Sequence, residues 1–208
     1  MCIRDRWAIV RACLPFNSVK GSAEGLALAK LLLVASLPVF AAGAVFEEVV
    51  ETALRNPHVI ATTTAVFGIL LWAADRLGGR RRTLETLRWS DALLIGLAQA
   101  MALVPGVSRA GVTMTAARAL GLDRRSAVRF SFLLAIPVIL GASVFKTIDL
   151  VGSPQAMLWY VFGLGVVVSA CSAWCVLVVF LRVIEKSGVL VFVLYRLLLA
   201  AFLFYWFQ

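Results

Sequence analysis

The chain has 208 residues and is 62% apolar and 15% charged, against the roughly 45–50% apolar content of a soluble domain. Its net charge is +9, but the basic residues cluster in short loops between apolar runs, as the positive-inside rule expects of a membrane protein. A soluble globular domain and a nucleic-acid-binding protein are thereby excluded, and the chain reads as an all-α, polytopic integral membrane protein.

Residues 1–6, "MCIRDR", are not a signal peptide, because no apolar h-region with a small-residue cleavage site follows the charges. The hexapeptide matches the translated transposon end used in sequencing libraries. Residues 1–6 are therefore expected to be an adaptor artefact, and residues 7–208 a single membrane domain that has lost its amino-terminal part. Cys2, Cys13, Cys171 and Cys175 show no metal spacing with histidine and predict no disulfide.

A membrane helix needs about 20 mostly apolar residues. Windows 26–46, 58–78, 127–146, 156–181 and 188–207 meet that length, predicting about five transmembrane helices. Pro38 and Pro137 fall inside spans, which membrane helices tolerate when neighbours re-satisfy the freed backbone groups. Residues 91–104, "DALLIGLAQAMALV", reach only ~21 Å as a helix, short of a ~30 Å hydrocarbon core. Pro105 and Gly106 then break the helix, "VSRAG" turns, and a second short helix is expected from about Val112 to Leu120. The prediction is a re-entrant helical hairpin over residues 91–120. Loop charge agrees: Arg80, Arg81, Arg82 and Arg88, then Arg124 with Arg125, and Arg182 with Lys186 fall on the cytoplasmic side, and Glu47, Glu48, Glu51 and Asp149 outside. That alternation requires that residues 91–120 do not cross.

Non-helical backbone at membrane depth must line protein or water, so the "PGVSRAG" turn should face a cavity. An arginine near the bilayer centre costs roughly 2.5–3.5 kcal/mol and marks a functional site by default. Arg109 calls for an anion, the alternatives being that it snorkels or pairs with a buried carboxylate. Gly106 and Gly111 let a ligand approach the backbone, the helix after Gly111 would offer free N–H groups, and the Ser108 and Thr113 hydroxyls add donors. Thr115 is close by. Arg196, beside Tyr195 in the last span, either faces the same cavity or bridges helix backbones. Gln99 either bonds the turn or makes a helix–helix contact. His58, the only histidine, reads as an interfacial residue.

The stretch "ALVPGVSRAGVTMTAARALGLDRRSAVRFSFLLAIPVILGA" resembles the second signature of the undecaprenyl pyrophosphate phosphatase (bacitracin resistance) family. That signature is a Pro-Gly-x-Ser-Arg-Ser-Gly turn followed by a Phe-Ser-Phe membrane helix. "VFVLYRLLLAAFLF" is similar to the family's last helix with its Tyr-Arg pair, and the similarity covers roughly residues 26–208. Ala110 stands where the family has its second serine, leaving Ser108 and Arg109 as the matched pair. The family's first signature, with two glutamates, serines and a histidine in the other half of an inverted repeat, has no match here, and its usual position precedes Trp7.

The resemblance implies hydrolysis of undecaprenyl diphosphate to undecaprenyl phosphate and inorganic phosphate in the bacterial inner membrane, recycling a lipid carrier for cell-wall polymers. Arg109 would act as an electrostatic clamp. Ser108 would bind a phosphoryl oxygen or attack phosphorus, and binding is favoured because the chain offers no neighbouring base. Gly106, Gly111, Thr113, Arg196 and Gln99 would line the substrate site. A divalent metal, magnesium or calcium, is implied, with its ligands in the unmatched first signature and none among these residues; the chain by itself is accordingly expected to be inactive. The expected partners are the lipid substrate, the membrane and, as one option, a second copy in a homodimer. The alternative from a different class is a transporter of an anion or lipid phosphate, since transporters also aim broken helices at a midplane site.

Overall fold

A computed structural model describes residues 22–52, 54–79, 82–151 and 159–207. The adaptor-like residues 1–6, Cys2, Cys13, Arg80, Arg81 and the first residues of the 156–181 window lie outside them. Among the described residues seven α-helices follow one another: α1 (Ser22–Thr52), α2 (Pro57–Leu77), α3 (Trp89–Ala100), α4 (Arg109–Ala119), α5 (Arg124–Val151), α6 (Trp159–Ser187) and α7 (Leu190–Trp206). There is no β-strand among the described residues. Four of the helices, α1, α2, α5 and α6, are long and apolar enough to cross a membrane. The fifth expected span, α7, has 17 residues, about 25 Å, at the lower limit of a crossing helix.

Of the two short helices α4 is largely buried between the long ones, whereas α3 buries one face and leaves Trp89, Leu93, Leu94 and Leu97 exposed. α3 packs on α1, and α4 on α2, α3 and α5; α2 and α7 form a closely packed pair. Small residues set these distances. A Cβ on Gly96 of α3 would fall on the Ala35 backbone of α1, so only glycine allows that approach. Ala35, Ala92, Ile95, Ala117, Phe130 and Leu134 close the core around α3 and α4. By contrast, residues 160–176 of α6 are exposed, an apolar surface suited to lipid.

The stretch from α3 to α4 doubles back on itself. Arg82, before α3, and Gly121 to Asp123, after α4, are joined by Arg82 N–H to the Gly121 carbonyl (3.2 Å) and Asp123 N–H to the Arg82 carbonyl (2.8 Å). The Arg82 side chain also donates to the Leu120 carbonyl and to both Asp91 oxygens. Burial pushes the Asp91 carboxyl up, but the hydrogen bonds from Arg82 and the Arg88 N–H outweigh it and hold its pKa below the ordinary value. Beside this seam Asp75, at the end of α2, pairs with Arg118 and Arg124. Arg118 is fully enclosed, and its guanidinium also bonds the carbonyls of Asp75, Gly78, Gly79 and Leu122.

α4 begins at Arg109 rather than near Val112. The physical reason is Ser108, which caps the helix by accepting from the Gly111 N–H at 3.3 Å; Gly111 therefore sits in the first turn and does not precede it.

Because entry and exit of the hairpin are tied together, single cysteines at the exposed positions Glu85 and Arg125, in a background without other cysteines, should both react with a membrane-impermeant maleimide only from the cytoplasmic face. A cysteine at exposed His58 should react only from outside. Labelling of Glu85→Cys and Arg125→Cys from opposite faces would show that the hairpin crosses.

Candidate active site

The site is the turn between the hairpin arms, Val104 to Ser108, and the start of α4. Gly106 has φ +89 and Ser108 φ +66, the left-handed region that a side-chain-bearing residue adopts only under constraint. That constraint comes from three neighbours. Thr63 Oγ1 donates to the Pro105 carbonyl at 2.6 Å and Thr64 Oγ1 to the Gly106 carbonyl at 3.2 Å. Arg196, from the middle of α7, donates from Nη2 to the same Gly106 carbonyl at 2.7 Å.

Arg196 is 3% exposed. It runs past Gly68 of α2, whose missing side chain gives it room, and lies 5.9 Å from the Phe192 ring. Its Nη1 has no hydrogen-bond partner. That atom packs against the gap left by the missing side chain of Gly111, which is too narrow for an atom as it stands: a Cβ there would stand 2.8 Å from Arg196 Nη1 and 3.3 Å from Ser108 Oγ. Only glycine lets the guanidinium come this close to the start of α4.

Arg109 points the other way. Its Nε donates to Gln99 Oε1 at 3.0 Å, Nη2 to the Leu134 carbonyl at 2.7 Å and Nη1 to the Ala135 carbonyl at 3.4 Å. Gln99, fully buried, passes the contact on through Nε2 to the Ala35 carbonyl at 3.4 Å. Leu134 and Ala35 each precede a proline, Pro137 and Pro38, by three residues. Proline lacks the N–H that would bond the carbonyl four residues back, so each of these carbonyls lies in the turn that a proline weakens. Carbonyls of α5 hold the arginine directly, and the α1 carbonyl holds it through Gln99.

None of these partners is charged. Enclosed Arg118 and the partly exposed Arg82 and Arg124 each have an aspartate. Neither Arg109 nor Arg196 has an ion-pair partner among the described residues, so the carboxylate alternative for Arg109 finds no support there. Two positive charges therefore flank the turn with neutral dipoles around them.

Ser108 Oγ is hydrogen-bonded to the Gly111 N–H, and no histidine, aspartate or glutamate among the described residues bonds to it. The Thr113 hydroxyl is occupied by the carbonyls of Arg109 (2.9 Å) and Ala110 (3.2 Å) and by Ser131 Oγ, which ties α4 to the Phe-Ser-Phe segment of α5. Thr115 Oγ1 returns to the Gly111 carbonyl. His58 is exposed, with its ring 6.3 Å from Phe204. The turn thus brings Gly106, Ser108, Gly111 and Arg196 together, with Arg109, Gln99 and Thr113 behind them. Among the described residues no group of three His, Cys, Asp or Glu side chains comes together. These residues by themselves do not fit a divalent ion, and no step is derived through one.

The family model described as bacitracin resistance protein BacA matches residues 1–202. The chain belongs to that family. Over 183 residues, 88% of this chain and 69% of the relative, it is 48% identical to an undecaprenyl-diphosphatase of Alcanivorax borkumensis. The undecaprenyl-diphosphatase of Teredinibacter turnerae is 48% identical over 185 residues, 89% of this chain and 70% of its own. Undecaprenyl-diphosphatase 1 of Pseudoalteromonas translucida is 43% identical over 192 residues, 92% and 72%.

In this BacA-family chain Ala110, where a serine was expected, contributes its carbonyl to Ser131 Oγ at 3.3 Å. Sequence reasoning missed Thr63, Thr64 and Ser131, whose signal is a hydroxyl in an apolar span. It also missed Asp75, which reads as one charge in the last turn of a helix and proves to be the counter-ion of two arginines.

Proposed function

We propose that this membrane protein hydrolyses undecaprenyl diphosphate to undecaprenyl phosphate and inorganic phosphate, and so recycles the lipid carrier for cell-wall polymers. Membership of the family and the names of the relatives support the reaction. The unpartnered Nη1 of buried Arg196, packed on Gly111 beside Ser108, is the observation that supports this turn as its site. Water attacks the terminal phosphorus, the bridging P–O bond breaks, and the electron pair leaves on the lipid phosphate. Charge grows on phosphoryl oxygens as that happens. Arg196 Nη1 and the α4 N-terminus hold one such oxygen, and the Arg109 guanidinium, fixed among carbonyls, adds a preorganised positive field from the opposite side of the turn. The polyprenyl tail remains in lipid, in keeping with a reaction in the bacterial inner membrane.

Binding by Ser108 is favoured over attack, since its oxygen already accepts from the Gly111 N–H and no base among the described residues bonds its hydroxyl. The metal ligands and the base are supplied from outside the described residues. The assay protein is therefore this chain fused behind the amino-terminal part of the Alcanivorax borkumensis relative, in liposomes with saturating magnesium. It should release phosphate from undecaprenyl diphosphate; movement of the lipid across the bilayer without phosphate release would make it a transporter. Ser108→Ala in this protein loses a helix cap worth about 1 kcal/mol and one oxygen contact, so phosphate release should fall roughly tenfold. A nucleophile's loss would abolish it.

A further inference from the structure

We propose that Thr63 and Thr64 of α2 are positioning residues for this site: they fix the Pro105–Gly106 carbonyls so that Arg196 engages Gly106 through Nη2 and keeps Nη1 free over Gly111. The proposal rests on the reading of Arg196 Nη1 as the donor to a phosphoryl oxygen.

A threonine in a membrane helix ordinarily returns its hydroxyl to the carbonyl four residues back. Thr62, Thr115 and Thr147 do so, at 2.7 Å each. Thr63 has that choice too, with the Val59 carbonyl at 2.8 Å, yet the Pro105 carbonyl is nearer, at 2.6 Å. Thr64 has no such local bond. Its hydroxyl is 4% exposed by residue, and its acceptor is the Gly106 carbonyl, 42 positions along the chain. Leaving a buried hydroxyl without an acceptor is costly, so this contact is built in.

Gly106 is shaped to receive the pair. A Cβ there would collide with Thr63 Oγ1, the Ile60 carbonyl and, at 2.9 Å, Thr64 Oγ1. The turn they grip holds two positive φ values in three residues, a conformation that persists only when its surroundings determine it. An Nη2–carbonyl bond also fixes the rotation of the planar Arg196 guanidinium, and with it the direction of Nη1. If the Gly106 carbonyl swings away from Thr64, Arg196 is free to follow it, and Nη1 leaves its place over Gly111. The threonines themselves touch no substrate.

The test uses the chain in detergent micelles with inorganic pyrophosphate as probe, titrated calorimetrically, and amide hydrogen exchange read over residues 104–111. Thr64→Val keeps the shape and removes the hydroxyl; it should weaken pyrophosphate binding about tenfold, as loss of one buried hydrogen bond would, and speed exchange across the turn. Thr64→Ser should bind within about twofold of the original chain. Equal weakening by serine and valine would overturn the proposal in favour of simple packing, and so would unchanged binding and exchange in Thr64→Val. Failure of the unsubstituted chain to bind pyrophosphate would instead remove the anion-site reading, and this proposal with it.

Discussion

Arg109→Lys is expected to lower phosphate release by the liposome-reconstituted fusion about a hundredfold, although the charge is kept. The guanidinium spans three acceptors on two elements, Gln99 Oε1 on α3 and the Leu134 and Ala135 carbonyls on α5. A lysine ammonium is one nitrogen at the end of a flexible stem and cannot reach all three. Two lost charge-assisted bonds at about 1.5 kcal/mol each amount to ~3 kcal/mol, more than enough to release the start of α4 from α5. The loss would come through displacement of Ser108 and Gly111, which flank Arg109 at the head of α4, because the arginine fork itself is occupied by Gln99 and the α5 carbonyls. Gln99→Leu should reproduce part of the effect without altering any charge. Turnover by Arg109→Lys within twofold of the original would show that the carbonyl cage does not position the turn.

Much of this arrangement is readable from local sequence. The apolar windows fix the long helices because a bilayer imposes their length, and the shortness of 91–104 followed by Pro105-Gly106 forces a turn at depth. Arg109 announces itself by its cost. What is not local is not legible. Nothing in "ATTTA" distinguishes Thr62, which returns to its own helix, from Thr64, which reaches across to Gly106. The three-residue offset from Pro38 and Pro137 to the carbonyls that serve Gln99 and Arg109 is visible only once α1, α3 and α5 are packed. Arg196 could have bridged helix backbones or faced a cavity; one of its nitrogens bonds the Gly106 carbonyl of the turn and the other is buried without a partner. The start of α4 was misplaced because Gly111 looks like a turn residue, whereas the Ser108 cap carries the helix back to Arg109.

Gly111→Ala carries the second large effect, and it addresses the central claim that Arg196 Nη1, packed on Gly111, donates to a phosphoryl oxygen. Gly111 lies in a helix without a positive φ, where alanine is preferred over glycine by about 1 kcal/mol. The new methyl would press on Arg196 Nη1 and Ser108 Oγ, and the flexible arginine would yield first. The most direct measurement is the calorimetric dissociation constant of inorganic pyrophosphate for the chain and for Gly111→Ala, with helix content followed by circular dichroism. Loss of a charge-assisted contact as Nη1 is pushed aside predicts binding weaker by about a hundredfold at unchanged helix content. Pyrophosphate affinity equal in the two proteins would contradict the account, because the oxygen would then have to sit elsewhere.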